Sequence, residues 1–232
     1  MKQQFIFLPL IILLLIGAGY LVFKTNIEVA KKIPELQTAQ FSNPNPTQVP
    51  NLNSIYKTDV VPLGNPEAPI KIVEYGDYLC IYCAMTVKEF YPKIENLIKE
   101  GKVVLYFKDL ISHREAVPIA NAARCANEQN KFWEFNKAVF QIVLDISDGK
   151  ETKDPTSKET WLYLAKDFGL NIDQFKKCID ENRYLKQIQQ DSQEAQNLGF
   201  TGTPSFIINN EKISGLDLNK LDQTLNKFLN QK

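Results

Sequence analysis

Two cysteines three residues apart, Cys80-Ile-Tyr-Cys83, follow the β-like run Val73-Glu-Tyr-Gly after the short turn Asp77-Tyr-Leu79 and stand directly before a helical pattern. A thiol at such a junction meets the positive end of the helix dipole and the free N–H groups of the first turn. Both favour thiolate over thiol. A second thiol three positions on attacks any mixed disulfide formed by the first. The expected chemistry is thiol–disulfide exchange, with Cys80 as nucleophile and Cys83 as resolving thiol. Two blander uses of the pair compete. Structural zinc needs four ligands, usually two close pairs, and Cys125, Cys178 and His113 make no second pair. A purely structural Cys80–Cys83 disulfide would close too small a loop to remove much chain entropy.

A second candidate site is Gly202-Thr203-Pro204, which leads into the apolar run Ser205-Phe-Ile-Ile208. A proline opening a buried strand needs a reason. A cis Thr203–Pro204 bond would turn the Thr203 backbone outward, free to pair with an extended peptide by strand addition. An ordinary trans proline at a strand start is the alternative. Thr203, Pro204 and the tyrosine between the cysteines, Tyr82, are the candidate substrate-binding residues. Asp77 is expected to cap the active-site turn. For Cys125 and Cys178, beside apolar helix faces, two readings stand: a structural disulfide or two separate buried thiols. His113 is expected to cap or pack rather than to serve Cys80.

The elements that must position these residues follow from hydrophobic period and breakers. Ile70–Tyr75 is a strand. A helix is expected from about Cys83 to Lys99, kinked at Pro92, and Lys102–Phe107 is a second strand. Strand, helix, strand at this spacing is a βαβ unit with parallel strands. A helical stretch of about 85 residues follows, with segments around Pro118–Ala126, Lys131–Ile146, Thr160–Phe168, Ile172–Ile179 and Arg183–Leu198. Pro204–Ile208 and Lys212–Ser214 flank Asn209-Asn-Glu211 as a hairpin. An amphipathic helix through Leu218, Leu221, Leu225 and Leu229 closes the chain.

The 232 residues carry 27 basic and 27 acidic side chains, with no long single-sign block. That argues against nucleic-acid binding or an electrostatic membrane patch. Phe5–Phe23 is a run of 19 uncharged residues between Lys2 and Lys24, long enough to cross a bilayer and without a clear cleavage site. Residues 1–24 are therefore expected to be an uncleaved signal-anchor, and 25–67, rich in Gln, Asn, Pro and Thr, a flexible linker. Residues 68–232 are the expected folded domain, with its helical insertion at about 112–199. Lys24, Lys31 and Lys32 by themselves favour a domain on the inner side. The thiol chemistry favours the oxidising side, and a single-pass protein with its catalytic domain outside is the reading adopted.

The Cys-x-x-Cys after a βαβ-opening strand, the helical insertion and Gly202-Thr-Pro-Ser-Phe206 at a hairpin together resemble the DsbA-like thioredoxin-fold oxidoreductases. Leu63-Gly-Asn-Pro-Glu-Ala-Pro69 and Ala122-Ala-Arg-Cys-Ala126 resemble segments common in that family, so the likeness covers about Pro62–Leu229. It implies a thioredoxin fold (β-α-β … β-β-α) with an inserted helical domain and a cis Pro204 facing Cys80 and Cys83. Glu74 matches the family position of a buried carboxyl beneath the active site, and such an acid has a raised pKa and relays the Cys83 proton. An exposed edge-strand glutamate is the competing reading. The family also implies oxidation of exported, unfolded protein substrates and re-oxidation by a membrane quinone-linked partner of DsbB or VKOR type. Neither an organic cofactor nor a metal is implied. DsbA itself carries Pro-His between its cysteines, where this chain has Ile81-Tyr82. Lacking that histidine, Cys80 should be less acidic and the disulfide less oxidising. A reductase or isomerase, or a redox-silent peptide-binding chaperone module, are the alternatives.

Overall fold

The computed structural model describes residues 54–150 and 152–231. The expected anchor, 1–24, and the expected linker as far as residue 53 lie outside them. Among the described residues no helix is long and apolar enough to cross a membrane. The last part of the expected linker is corrected. Ile55 and Val60 are buried, and Leu63 exchanges backbone hydrogen bonds of 2.8 and 2.9 Å with Leu105. Leu63 thereby pairs with an edge of the sheet that would otherwise lie open, while Ile55 packs with Val73 and Val104 and Val60 joins the core of the helical insertion, so the folded region begins by Ser54 rather than at 68.

The sheet is built from β1 (Ile70–Gly76), β2 (Val103–Asp109), β3 (Ser205–Ile208) and β4 (Glu211–Ser214), in the order β2-β1-β3-β4. β1 and β2 are parallel, as the βαβ spacing requires; β3 is antiparallel to both β1 and β4. β1 and β2 are buried almost throughout, as expected of strands covered on both faces. The two-residue Asn209-Asn210 turn joins β3 to β4, with Asn209 at φ 53°, a conformation that asparagine tolerates. Glu211 therefore belongs to β4 and not to the turn.

The single helix expected after the cysteines is two: α1 (Ile81–Glu89) and α2 (Tyr91–Lys99), parted at Phe90. Pro92 has no N–H to give and its ring crowds the carbonyl four residues back, so the ladder ends and restarts. Five helices form the insertion: α3 (Ala116–Asn127), α4 (Phe132–Ser147), α5 (Lys158–Asp167), α6 (Ile172–Asp180) and α7 (Leu185–Asn197). α8 (Leu218–Leu229) returns to the sheet.

Side-chain alternation divides the core. Ile70, Ile72, Val103, Leu105, Phe206 and Ile208 lie on one face, under α2 and α8. Val73, Tyr75, Val104, Tyr106 and Ile207 lie on the other, against Ala195, Leu198 and Phe200. The insertion has its own core around Phe135, Phe140 and Phe175. That core reaches Cys80 and Cys83, so the dithiol sits where insertion and sheet meet.

Candidate active site

Helix α1 begins at Ile81, two residues before the expected start. Cys80 is thereby its N-cap, with φ −79° and ψ 117°, and Cys83 lies inside the first turn. The Cys80 carbonyl accepts from the N–H groups of Cys83 and Ala84 at 3.1 and 3.2 Å. Cys80 has no side-chain oxygen to accept from the free N–H groups of the first turn and makes no capping hydrogen bond of that kind. Both cysteines are free thiols here, Cys80 at the surface limit with 9% exposure and Cys83 with none.

Asp77 shapes the turn that delivers them. It is fully buried, and its carboxylate accepts from the Leu79 N–H at 2.8 Å, the expected capping role. It also accepts from the Ser112 and His113 N–H groups at 2.7 and 2.8 Å, and lies 3.0 Å from His113 Nδ1. His113 thus braces the active-site turn through Asp77. The Asp77 N–H in turn points at Cys83 Sγ, 3.5 Å away.

The Thr203–Pro204 bond is cis. The Cys80 thiol donates to the Thr203 carbonyl at 3.3 Å. The Thr203 N–H has no partner among the described residues. Pro204 itself is buried, and its carbonyl accepts from Gly215 N–H at 2.8 Å. Tyr82 projects from the first turn of α1 with 57% exposure. Cys80 and Thr203, from segments distant in sequence, are thus brought into contact.

The two thiols differ in acidity. A hydrogen bond from the Cys83 thiol, helped by the Thr203 side chain and the N–H groups of Cys83 and Tyr82, lowers the Cys80 pKa to about 6 against the opposing effect of burial. Burial, and the thiol hydrogen bond it gives Cys80, push Cys83 well above the usual thiol range. This is the division of labour that exchange needs: an available thiolate and a held-back resolving thiol.

Glu74 lies on the sheet face of Ile70 and Ile72, opposite Phe107 on β2 and Phe206 on β3. It is wholly buried, which excludes the exposed edge-strand reading. Desolvation raises its pKa to about 8, against the Tyr91 phenol, which donates to Oε2 at 3.0 Å. Its Oε1 has no partner among the described residues. Tyr91 was invisible in the sequence, where it reads as one more apolar-face residue of a helix.

Cys125 on α3 and Cys178 on α6 are joined by a disulfide, so neither is available as a metal ligand. Among the described residues no group of three or more His, Cys, Asp and Glu is arranged to hold a metal ion. Arg124 centres a separate buried network. Arg124, 1% exposed, holds Asp109 at 2.7 and 2.9 Å and also pairs with Asp59 and Asp191. It ties the N-terminal segment, β2, α3 and α7 together.

A thioredoxin family model matches residues 56–229, three-quarters of the chain. The chain belongs to the thioredoxin family. The probable disulfide bond formation protein D of Bacillus anthracis is 29% identical over 173 residues, covering 72% of this chain and 77% of that protein. The disulfide bond formation protein D of Bacillus subtilis is 25% identical over 182 residues, covering 73% and 77%. Among solved structures, oxidised BdbD from B. subtilis superposes with a TM-score of 0.64 at 23% identity, over 75% of this chain and 94% of that one. The alpha-DsbA1 of Wolbachia pipientis gives 0.59 at 26% identity, over 72% and 92%. The family membership and the helical insertion are those of the DsbA-like proteins that the sequence resembled.

Proposed function

We propose that this protein is a thiol–disulfide oxidoreductase that introduces disulfides into exported proteins, working outside the cytoplasm on a membrane anchor formed by residues 1–24. The observation that carries the reading is the Cys80 thiol at the N-cap of α1, with a pKa of about 6 and 3.3 Å from the Thr203 carbonyl. The names of its relatives as disulfide bond formation proteins support the direction.

In the oxidised enzyme a substrate thiolate attacks Cys80 Sγ, the Cys80–Cys83 bond breaks, and Cys83 leaves as thiolate. Glu74, protonated below pH about 8, returns a proton to it. A second substrate thiolate then attacks the substrate sulfur of the mixed disulfide and Cys80 departs as a stabilised thiolate. The substrate chain lies against Thr203 and Pro204, pairing with the open Thr203 N–H, beside Tyr82. A membrane quinone-linked partner of DsbB or VKOR type takes the two electrons away. The chemistry needs no cofactor beyond the dithiol.

One observation favours a second direction. A Cys80 pKa of about 6 lies nearer the value of about 7 typical of thioredoxin than the value of about 3.5 typical of DsbA, which suits a reductase or isomerase. The reduction potential separates the two. A value well above about −270 mV supports the oxidase; one at that level overturns it.

A further inference from the structure

The Glu74 relay asks more of the structure than a buried carboxyl. An acid with no exposure and one oxygen that has no partner among the described residues needs a group that fixes its direction, and its proton needs a path to water. Tyr91 from α2 is its hydrogen-bond partner, at 3.0 Å from Oε2. The ionisable groups around the carboxyl are Tyr91, Cys80, Cys83 and Tyr78. No lysine, arginine or histidine among the described residues pairs with it.

Tyr91 is held firmly. It is the first residue of α2, is buried, and packs edge-on against Trp133 at 6.3 Å. It also lines a cavity of about 270 Å³ with Val87, Ile94 and Leu105, whose rim carries the exposed Glu95, Lys99 and Lys137. That volume accommodates several waters. Neither Cys80, Tyr82 nor Thr203 lines it, so a substrate chain on the Thr203 surface would leave it open.

We propose that Tyr91 is the positioning residue of the proton relay: its phenol directs Glu74 at the dithiol and links the carboxyl to a cavity that the substrate surface does not share. The inference rests on the relay reading of Glu74. In the resolving step the Glu74 carboxylate takes the proton of the Cys83 thiol, and the Cys83 thiolate attacks Cys80 Sγ. The bond from Cys80 to the outside thiol breaks, and that thiol leaves as thiolate. The electrons in the broken disulfide bond depart with the leaving sulfur, so no further oxidant is needed. A phenol that donates to the carboxylate stabilises its charged form, and burial opposes it.

The test uses the reduced full chain mixed with oxidised glutathione, which forms a mixed disulfide at Cys80. The concentration-independent phase that follows is the attack by Cys83, measured from pH 5 to 10 by stopped-flow fluorescence. In the parent protein the rate rises with ionisation of Glu74. Tyr91→Phe, which removes one oxygen, should displace this profile about one to two pH units to the alkaline side, with Cys80 alkylation unchanged. Glu74→Gln should abolish that limb, and Tyr91→Phe should do nothing more in the Glu74→Gln background. Infrared difference spectra of the Glu74 carboxyl stretch should show the same alkaline displacement. If Tyr91→Phe gives the parent profile, or lowers the rate equally at every pH, while Glu74→Gln loses the limb, the role of Tyr91 is overturned and the relay stands. If Glu74→Gln keeps the limb, the relay itself fails and Tyr91 with it.

Discussion

Replacing Glu74 by Gln should stabilise the protein, and increasingly so as pH rises. Glu74 is wholly buried and ionises at about 8 instead of the ordinary 4.5. Below about pH 4.5 the carboxyl is protonated in both folded and unfolded chains, and the shift has no effect. Between 4.5 and 8 the unfolded chain has lost the proton while the folded protein still holds it, so raising the pH favours unfolding. The slope is about 1.36 kcal/mol per pH unit, and the whole interval comes to about 5 kcal/mol. Gln does not titrate, so Glu74→Gln leaves only a constant offset from its altered hydrogen bond to Tyr91. Urea unfolding of the reduced protein and the variant at pH 5, 6, 7, 8 and 9, followed by tryptophan fluorescence, measures the difference. The stability gap should open with pH and level off above about 8. A gap that stays constant across the range refutes the burial argument, because an acid free to ionise in the fold carries no such dependence.

Cys80 should react with iodoacetamide with a midpoint near pH 6 while Cys83 stays inert across the neutral range; Thr203→Val should move the midpoint upward. Equal alkylation of both thiols, read by mass spectrometry, would contradict the assigned roles. Arg124→Ala leaves Asp109 and Asp191 buried without their guanidinium and should cost about 3–5 kcal/mol in urea unfolding; a loss under about 1 kcal/mol would show that the aspartates find other compensation. Joint replacement of Cys125 and Cys178 by Ala opens a loop spanning 53 residues and should cost up to about 4 kcal/mol, with the Cys80 alkylation midpoint unmoved.

Periodicity and turn chemistry made the elements legible because each apolar stripe has one place to go. The parallel β1–β2 pair, the hairpin and the closing helix all follow from that. Boundaries were harder where two signals overlapped. Val87, Ile94 and Ile98 continue one stripe across the break at Phe90, which hid the division between α1 and α2. Polar neighbours masked Ile55, Val60 and Leu63, whose apolar partners are all distant in sequence: Val73 and Val104 for Ile55, the insertion core for Val60 and Leu105 for Leu63. Within the site, the cysteines, Thr203 and Pro204 announce themselves by type and spacing. Tyr91, His113 and Arg124 do not, since each acts through a partner distant in sequence: Glu74, Asp77, and Asp59 with Asp109 and Asp191. Nothing in a linear stretch distinguishes a tyrosine that donates to a buried acid from one that fills a core.

Cys80 is expected to exchange disulfides with a protein thiol. The direct measurement mixes the oxidised full chain with a reduced peptide carrying two cysteines and follows both by intact mass. The peptide should lose two hydrogens as the protein gains two, and a Cys83→Ser variant, incubated with a disulfide-bonded form of the peptide, should trap it on Cys80. A peptide left reduced, or trapped on a sulfur other than that of Cys80, would contradict it.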